Sequence, residues 1–164
     1  MMQRIQVAAI ATAIGLACSA CSDIATAEKL SNTISGVASV IDGDTIEIHG
    51  ERIRLSGYDT PERGKRCGSV NVYQKAAFAL SDFIGRQTVH CNVTGRDRYE
   101  RSIATCAVGG IDLGDHMVRE GWGRDWPRYS KGRYAGEERS ARSRSKGVWG
   151  LSCPDSLWGK RNYD

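Results

Sequence analysis

Beyond its first residues the sequence has no second long apolar run, no CxxC or HxxxH spacing, no internal repeat and no low-complexity segment. Without another apolar stretch there is no pattern for a membrane-embedded bundle. Without closely spaced cysteine or histidine ligands, zinc finds no framework. The three histidines suggest no catalytic triad: His49 falls in a turn and His116 on a short helix. What is present starts with a leader. Met1 to Ala27 runs from Arg4 through an apolar stretch, Ile5 to Ala17, to Ala25-Thr26-Ala27. That is the anatomy of a secretory signal peptide, and its apolar run is short for a membrane span. A lipid anchor on Cys18 or Cys21 is the alternative, although Gly15 and Cys18 stand where an aliphatic residue is usual. The expectation is an exported protein, periplasmic or extracellular, with a leader over 1–27 and one domain over 28–164.

That domain is long enough to bury a core. Its net charge stays at +4 once Arg4 and Asp23 are removed, which is compatible with a polyanionic partner. It is expected to be a monomer. Four cysteines follow the leader: Cys67, Cys91, Cys106 and Cys153. An even number in an exported chain suggests two disulfides. Cys91 and Cys106 lie in apolar runs on either side of a polar turn, so antiparallel pairing sets them opposite one another. Closing that loop is worth about 3 kcal/mol. Cys67 with Cys153 follows by elimination, and four unpaired buried cysteines are the alternative.

Strand patterns occupy 33–41, 45–48 and 53–55, with a two-residue turn at His49-Gly50 that faces Glu47 with Arg52. Tyr73, Ala76, Ala77, Leu80, Phe83 and Ile84 share a helical face that stops at Gly85. Strands at 88–94 and 102–108 form the cysteine hairpin. Asp112 caps a short helix, and a last helix over 133–146 leans on Tyr134, Ala135 and Ala141. Three strands, a helix, two strands and two helices point to a small α+β Greek-key barrel.

The chemistry concentrates in VIDGDTIEIHGERIRLSGYDTPE, residues 40–62. A hairpin returns the Tyr58-Asp59-Thr60 corner to the Asp42-Gly43-Asp44 corner. Carboxylates brought together repel unless a cation or proton intervenes, and hard oxygen ligands suit Ca²⁺ or Mg²⁺. The Thr60 carbonyl is a natural additional ligand. Arg54 beside such a site makes sense when a phosphate binds between them, and Glu62 can hold a water and take its proton. The plainer reading takes DGD as turn chemistry and Arg54 as a strand arginine paired with a carboxylate.

VIDGDT, RLSGYDTPE and DRYER resemble the staphylococcal-nuclease-like (thermonuclease) family over about Ile34 to Trp149, leaving a short C-terminal extension. The resemblance implies a five-stranded OB-fold β-barrel with about three packed helices, and hydrolysis of DNA and RNA with Ca²⁺ to leave 3′-phosphate ends. It implies that Asp44, Asp59 and the Thr60 backbone carbonyl hold calcium, with Asp42 supporting the ion and its water. Arg54 and Arg101 would clamp the scissile phosphate, with Glu62 as general base. Tyr99 and Tyr129 would line the nucleotide site, or pack as ordinary exposed tyrosines. Eight basic and three acidic residues between Arg124 and Lys146 read equally as a backbone contact or a solvated helix face. Trp122, Trp126 and Trp149 read as core or cap residues. An OB-fold binding module without catalysis is the rival reading, as is a purely structural calcium.

Overall fold

A computed structural model describes residues 32–159. The leader over 1–27, with Cys18 and Cys21, lies outside the described residues. Among the described residues no helix is long and apolar enough to cross a membrane.

The first apolar run forms two strands, β1 (Thr33–Val37) and β2 (Ser39–Asp42), broken only at Ala38. β3 (Thr45–Ile48) and β4 (Glu51–Leu55) make the expected hairpin. His49 and Gly50 both take left-handed φ, 51° and 80°, as a two-residue hairpin turn needs. Glu47 faces Arg52, 3.6 Å apart and largely in water, so the pair adds at most about 1 kcal/mol. Ile46, Ile48 and Ile53, each wholly buried, hold the register more firmly, because a one-residue slip would turn all three outward.

β5 (Tyr58–Asp59) follows, then α1 (Val72–Ile84), β6 (Thr88–Arg96), β7 (Ser102–Val108) and β8 (Ile111–Asp112). β6 and β7 are antiparallel, and β7 lies parallel to β4. The order β1-β6-β7-β4-β3-β2 therefore begins and ends on one continuous stretch of chain. That curls the sheet into an α+β barrel of five long strands, with β1 and β2 counted as one. β7 alternates buried and half-buried residues along its whole length. Its Ala104, Cys106 and Val108 share the main core with Leu80 and Ile84 of α1. Burying each large aliphatic side chain there is worth roughly 1.5–3 kcal/mol.

Cys91 and Cys106 are direct cross-strand partners and are bonded, with Cα atoms 4.0 Å apart. Cys67 is bonded to Cys153. Both expected pairings are present.

α2 (Leu113–Arg119) is capped by Asp112, which accepts from the Asp115 N–H. The last helix is shorter than its composition suggested. A single turn, α3 (Pro127–Ser130), ends at Lys131 with φ 58°, and α4 spans only Ala135–Ser143. Tyr134 is not a helix-face residue. It precedes α4, is buried, and donates from its hydroxyl to Asp112 Oδ1 at 3.0 Å. A further strand, β9 (Arg124–Asp125), pairs with β5 and had no two-residue alternation long enough to read. Two 3-10 turns, Gly147–Gly150 and Asp155–Trp158, close a second small core of Cys67, Val72, Val148, Leu157 and Trp158.

Candidate active site

The hairpin brings the two acidic corners together, as its geometry requires. Leu55 N–H donates to the Asp44 carbonyl at 2.8 Å, and the buried Tyr58 hydroxyl donates to the Gly43 carbonyl at 3.0 Å. Gly43 must be glycine here, since a Cβ would fall 2.9 Å from both Ala76 Cβ and Thr60 Cγ2. The corner is pressed between α1 and the β5 exit.

Asp44 is fixed from both sides. Thr45 and Thr60 hydroxyls donate to its two oxygens, each at 3.1 Å. Its N–H donates to Asp42 Oδ1 at 3.2 Å. Burial, with Asp44 close by, pushes the Asp42 carboxyl up to about 6. Two carboxylates forced together in this way mark a place where negative charge is in excess. Asp59 is fully buried on β5.

Arg54 is a strand arginine paired with carboxylates, as the plainer reading of the sequence has it. Its Nη2 lies 3.0 Å from Asp44 Oδ2 and 3.3 Å from Asp59 Oδ1. Nη1 donates to the Leu55 carbonyl at 2.7 Å, and Nη2 to the Tyr58 carbonyl at 3.2 Å. Buried carboxylates need a counter-charge, and in this structure the guanidinium supplies it. Burial works against its charged form, but Asp44 and Asp59 outweigh that and hold its pKa above the ordinary arginine value.

Arg101 arrives from the β6–β7 loop. Its Nε and Nη2 form a fork on Asp97 Oδ2, at 2.8 and 2.7 Å, and Nη1 reaches Thr45 Oγ1 at 3.4 Å. Asp97 Oδ1 also accepts from the Tyr99 and Arg101 N–H groups. Burial would raise the Asp97 carboxyl, but these bonds prevail and hold it below the usual carboxylate value. Asp97 is the residue that sequence reasoning passed over. The signal was available, since an Asp opening a tight turn commonly accepts from the N–H two residues on.

Asp42, Asp44, Arg54, Thr60, Glu62 and Arg101 line one cavity of about 210 Å³, together with Pro61, Arg63 and Tyr73. Tyr73 therefore serves the cavity rather than the core face of α1. Sharing Arg54 and Arg101, a neighbouring groove of about 490 Å³ carries Tyr99, Trp126 and Tyr129. Tyr99 and Tyr129 are 64% and 53% exposed, and Trp126 meets Tyr129 edge-on at 4.6 Å. Trp126, the residue before α3, thus has a groove-facing role beside its capping place. Of the basic residues in 124–146, Arg124, Arg133, Arg142 and Lys146 are ion-paired within the domain. The exposed remainder is Arg128, Lys131, Arg139 and Arg144.

The donor set is all oxygen. Among the described residues no group of three or more acidic, imidazole or thiol side chains is placed to hold a metal ion by itself. A hard cation would therefore combine carboxylates with backbone carbonyl and water, which calcium accepts. The Asp42–Asp44 charge excess makes the residues fit such an ion.

A barrel carrying arginines and carboxylates around one small polar cavity defines a class suited to phosphate esters. The family model described as staphylococcal nuclease homologue matches residues 52–150, and the chain belongs to that family. It is 37% identical over 123 residues to the succinoglycan biosynthesis protein ExoI of Rhizobium meliloti, covering 71% of this chain and 64% of that protein. It is 27% identical over 124 residues to an uncharacterized endonuclease of Haemophilus influenzae, covering 72% of this chain and 67% of that one. A thermonuclease of Staphylococcus intermedius is 36% identical over 98 residues, 54% of this chain and 56% of that protein. The chain thus spans less than two thirds of the rhizobial and staphylococcal relatives' lengths.

Proposed function

We propose that the protein is an exported, calcium-dependent nuclease that hydrolyses DNA and RNA and leaves 3′-phosphate ends. The observation that carries the reading is the convergence of Asp42, Asp44, Arg54, Thr60, Glu62 and Arg101 on one cavity. Relatives named as a thermonuclease and an endonuclease support it. Asp44, Asp59 and the Thr60 carbonyl would hold the ion, with Asp42 behind them. Bound there, calcium would supply charge neutralisation and polarisation of the phosphate ester.

The remaining chemistry belongs to the side chains. Arg54 and Arg101 donate to phosphate oxygens, and more strongly as those oxygens gain charge. Glu62 orients the attacking water and takes one proton from it. The new P–O bond forms as the P–O5′ bond breaks. The 5′-oxygen leaves as a hydroxyl after taking a proton from solvent, and the phosphate stays on the 3′ side. Tyr99, Trp126 and Tyr129 offer ring faces and edges to unpaired bases, at about 1–3 kcal/mol per stacked base. Backbone contacts of this kind read little sequence. Export rests on the leader pattern and on the two disulfides, which persist in oxidising compartments.

The test is incubation of the mature protein with single-stranded DNA or RNA, with calcium and then with chelator, followed by end analysis. The reading expects cleavage with calcium only, and 3′-phosphate products. Binding without cleavage across a broad pH range would instead establish a catalytically silent module.

A further inference from the structure

The stretch from Cys153 to Gly159 lies beyond the matched family region, yet it is built onto the loop that carries Glu62. Cys153 is bonded to Cys67 across 86 residues of sequence. The Leu157 carbonyl accepts from the Glu62 N–H at 3.4 Å. Lys65 Nζ lies 3.4 Å from Ser156 Oγ. Leu157 and Trp158 are buried beside Cys67, Val72 and Val148. At Gly159, with φ 74°, a Cβ would stand 3.3 Å from Glu62 Cγ and 3.4 Å from its Oε1. The backbone therefore runs along the flank of the carboxylate. Bonds inside the loop are local: Lys65 N–H to the Glu62 carbonyl, and a reciprocal pair between Cys67 and Val70.

We propose that residues 153–159, locked by the Cys67–Cys153 bond, are a positioning element for Glu62, so that full turnover requires this disulfide. The inference rests on the role given to Glu62 above. A displacement of about 1 Å in a catalytic group can cost on the order of a hundredfold in rate. Because Glu62 acts on the water in the transition state, its misplacement should lower kcat and leave substrate binding alone.

Two perturbations of the mature protein test it: Cys67→Ala with Cys153→Ala, and separately Gly159→Ala, which keeps both disulfides and crowds the carboxylate. The readouts are kcat and KM on single-stranded DNA with calcium, and amide hydrogen exchange. Each should lower kcat roughly tenfold to a hundredfold with KM within about twofold. The double cysteine variant should exchange faster at 62–67 while β6 and β7, held by Cys91–Cys106, keep their protection. In a Glu62→Gln background the cysteine replacements should cost no further activity, because coupled residues are non-additive. Unchanged kcat, or an equal loss in the Gln background, would overturn the proposal. If Glu62→Gln alone left cleavage intact, the role of Glu62 would fall. Exchange at 62–67 would still decide whether the segment holds the loop, and unchanged protection there would refute the clamp.

Discussion

Replacing Arg54 by alanine should weaken the fold as well as the chemistry. The Arg54 side chain is 14% exposed and is the counter-charge of Asp44, 12% exposed, and of Asp59, wholly buried. Its removal leaves two buried carboxylates facing each other's field, with Asp42 adjacent. Breaking a buried pair from one side typically costs about 3–5 kcal/mol. For a domain of this size that lowers Tm by roughly 10–20 °C. In chelator the full loss should appear in thermal unfolding followed by circular dichroism. Calcium should narrow the gap, because a cation binding only the native state takes over the counter-charge and stabilises by mass action. Activity, measured where the variant is folded, should fall by a further ~3 kcal/mol or more of transition-state stabilisation. A Tm in chelator within a few degrees of the parent would refute the counter-charge role. Near-normal cleavage would refute the phosphate clamp.

Three further outcomes are expected. Asp97→Asn keeps an oxygen for the Tyr99 and Arg101 N–H groups but loses the charged fork on the guanidinium, so kcat should drop about tenfold with little change in Tm. Asp42→Asn removes the acid that burial and Asp44 push up to about 6. The native state binds that proton more tightly than the unfolded chain, so the parent loses stability as pH climbs from 3.8 towards 6. In chelator the variant should therefore melt higher than the parent at pH 7.5, and that advantage should vanish near pH 4. With calcium the order should reverse, which melting curves at both conditions will show. Cys91→Ala with Cys106→Ala opens a closed loop inside the core and should cost about 3 kcal/mol in denaturant unfolding.

The strand hairpins, α1 and the short helix after Asp112 were legible because their apolar periods are strong and their turns chemically marked. His49-Gly50 fixed one register and Gly85 one helix end. The β5–β9 pair was not legible, because two-residue strands carry no period and are held by tertiary contacts of Tyr58 and Asp125. The turn of α3 was hidden for a related reason, being too short to show a helical face. In the site, the meeting of Asp44 with Asp59 followed from hairpin geometry. A carboxylate partner for Arg54 was the plainer reading, but its sharing between Asp44 and Asp59 was not legible, since sequence shows which charges are near and not which of them lacks a partner. Asp97 has no signature of a cavity residue in the sequence because it holds Arg101 rather than standing in the cavity. The clamp from residues 153–159 onto Glu62 joins positions about ninety residues apart, and only the Cys67–Cys153 pairing hinted at it.

On the proposed function, calcium and phosphate share the cavity lined by Asp44, Arg54, Glu62 and Arg101. Calorimetric titration of calcium into the Glu62→Gln variant, with and without a short single-stranded oligonucleotide, tests that sharing. A cation and a phosphate held in one site attract, and by linkage each tightens the other by the same factor. Calcium should therefore bind at least about fivefold more tightly when the oligonucleotide is present, a coupling of about 1 kcal/mol. Calcium binding of equal strength in both titrations would contradict the shared site.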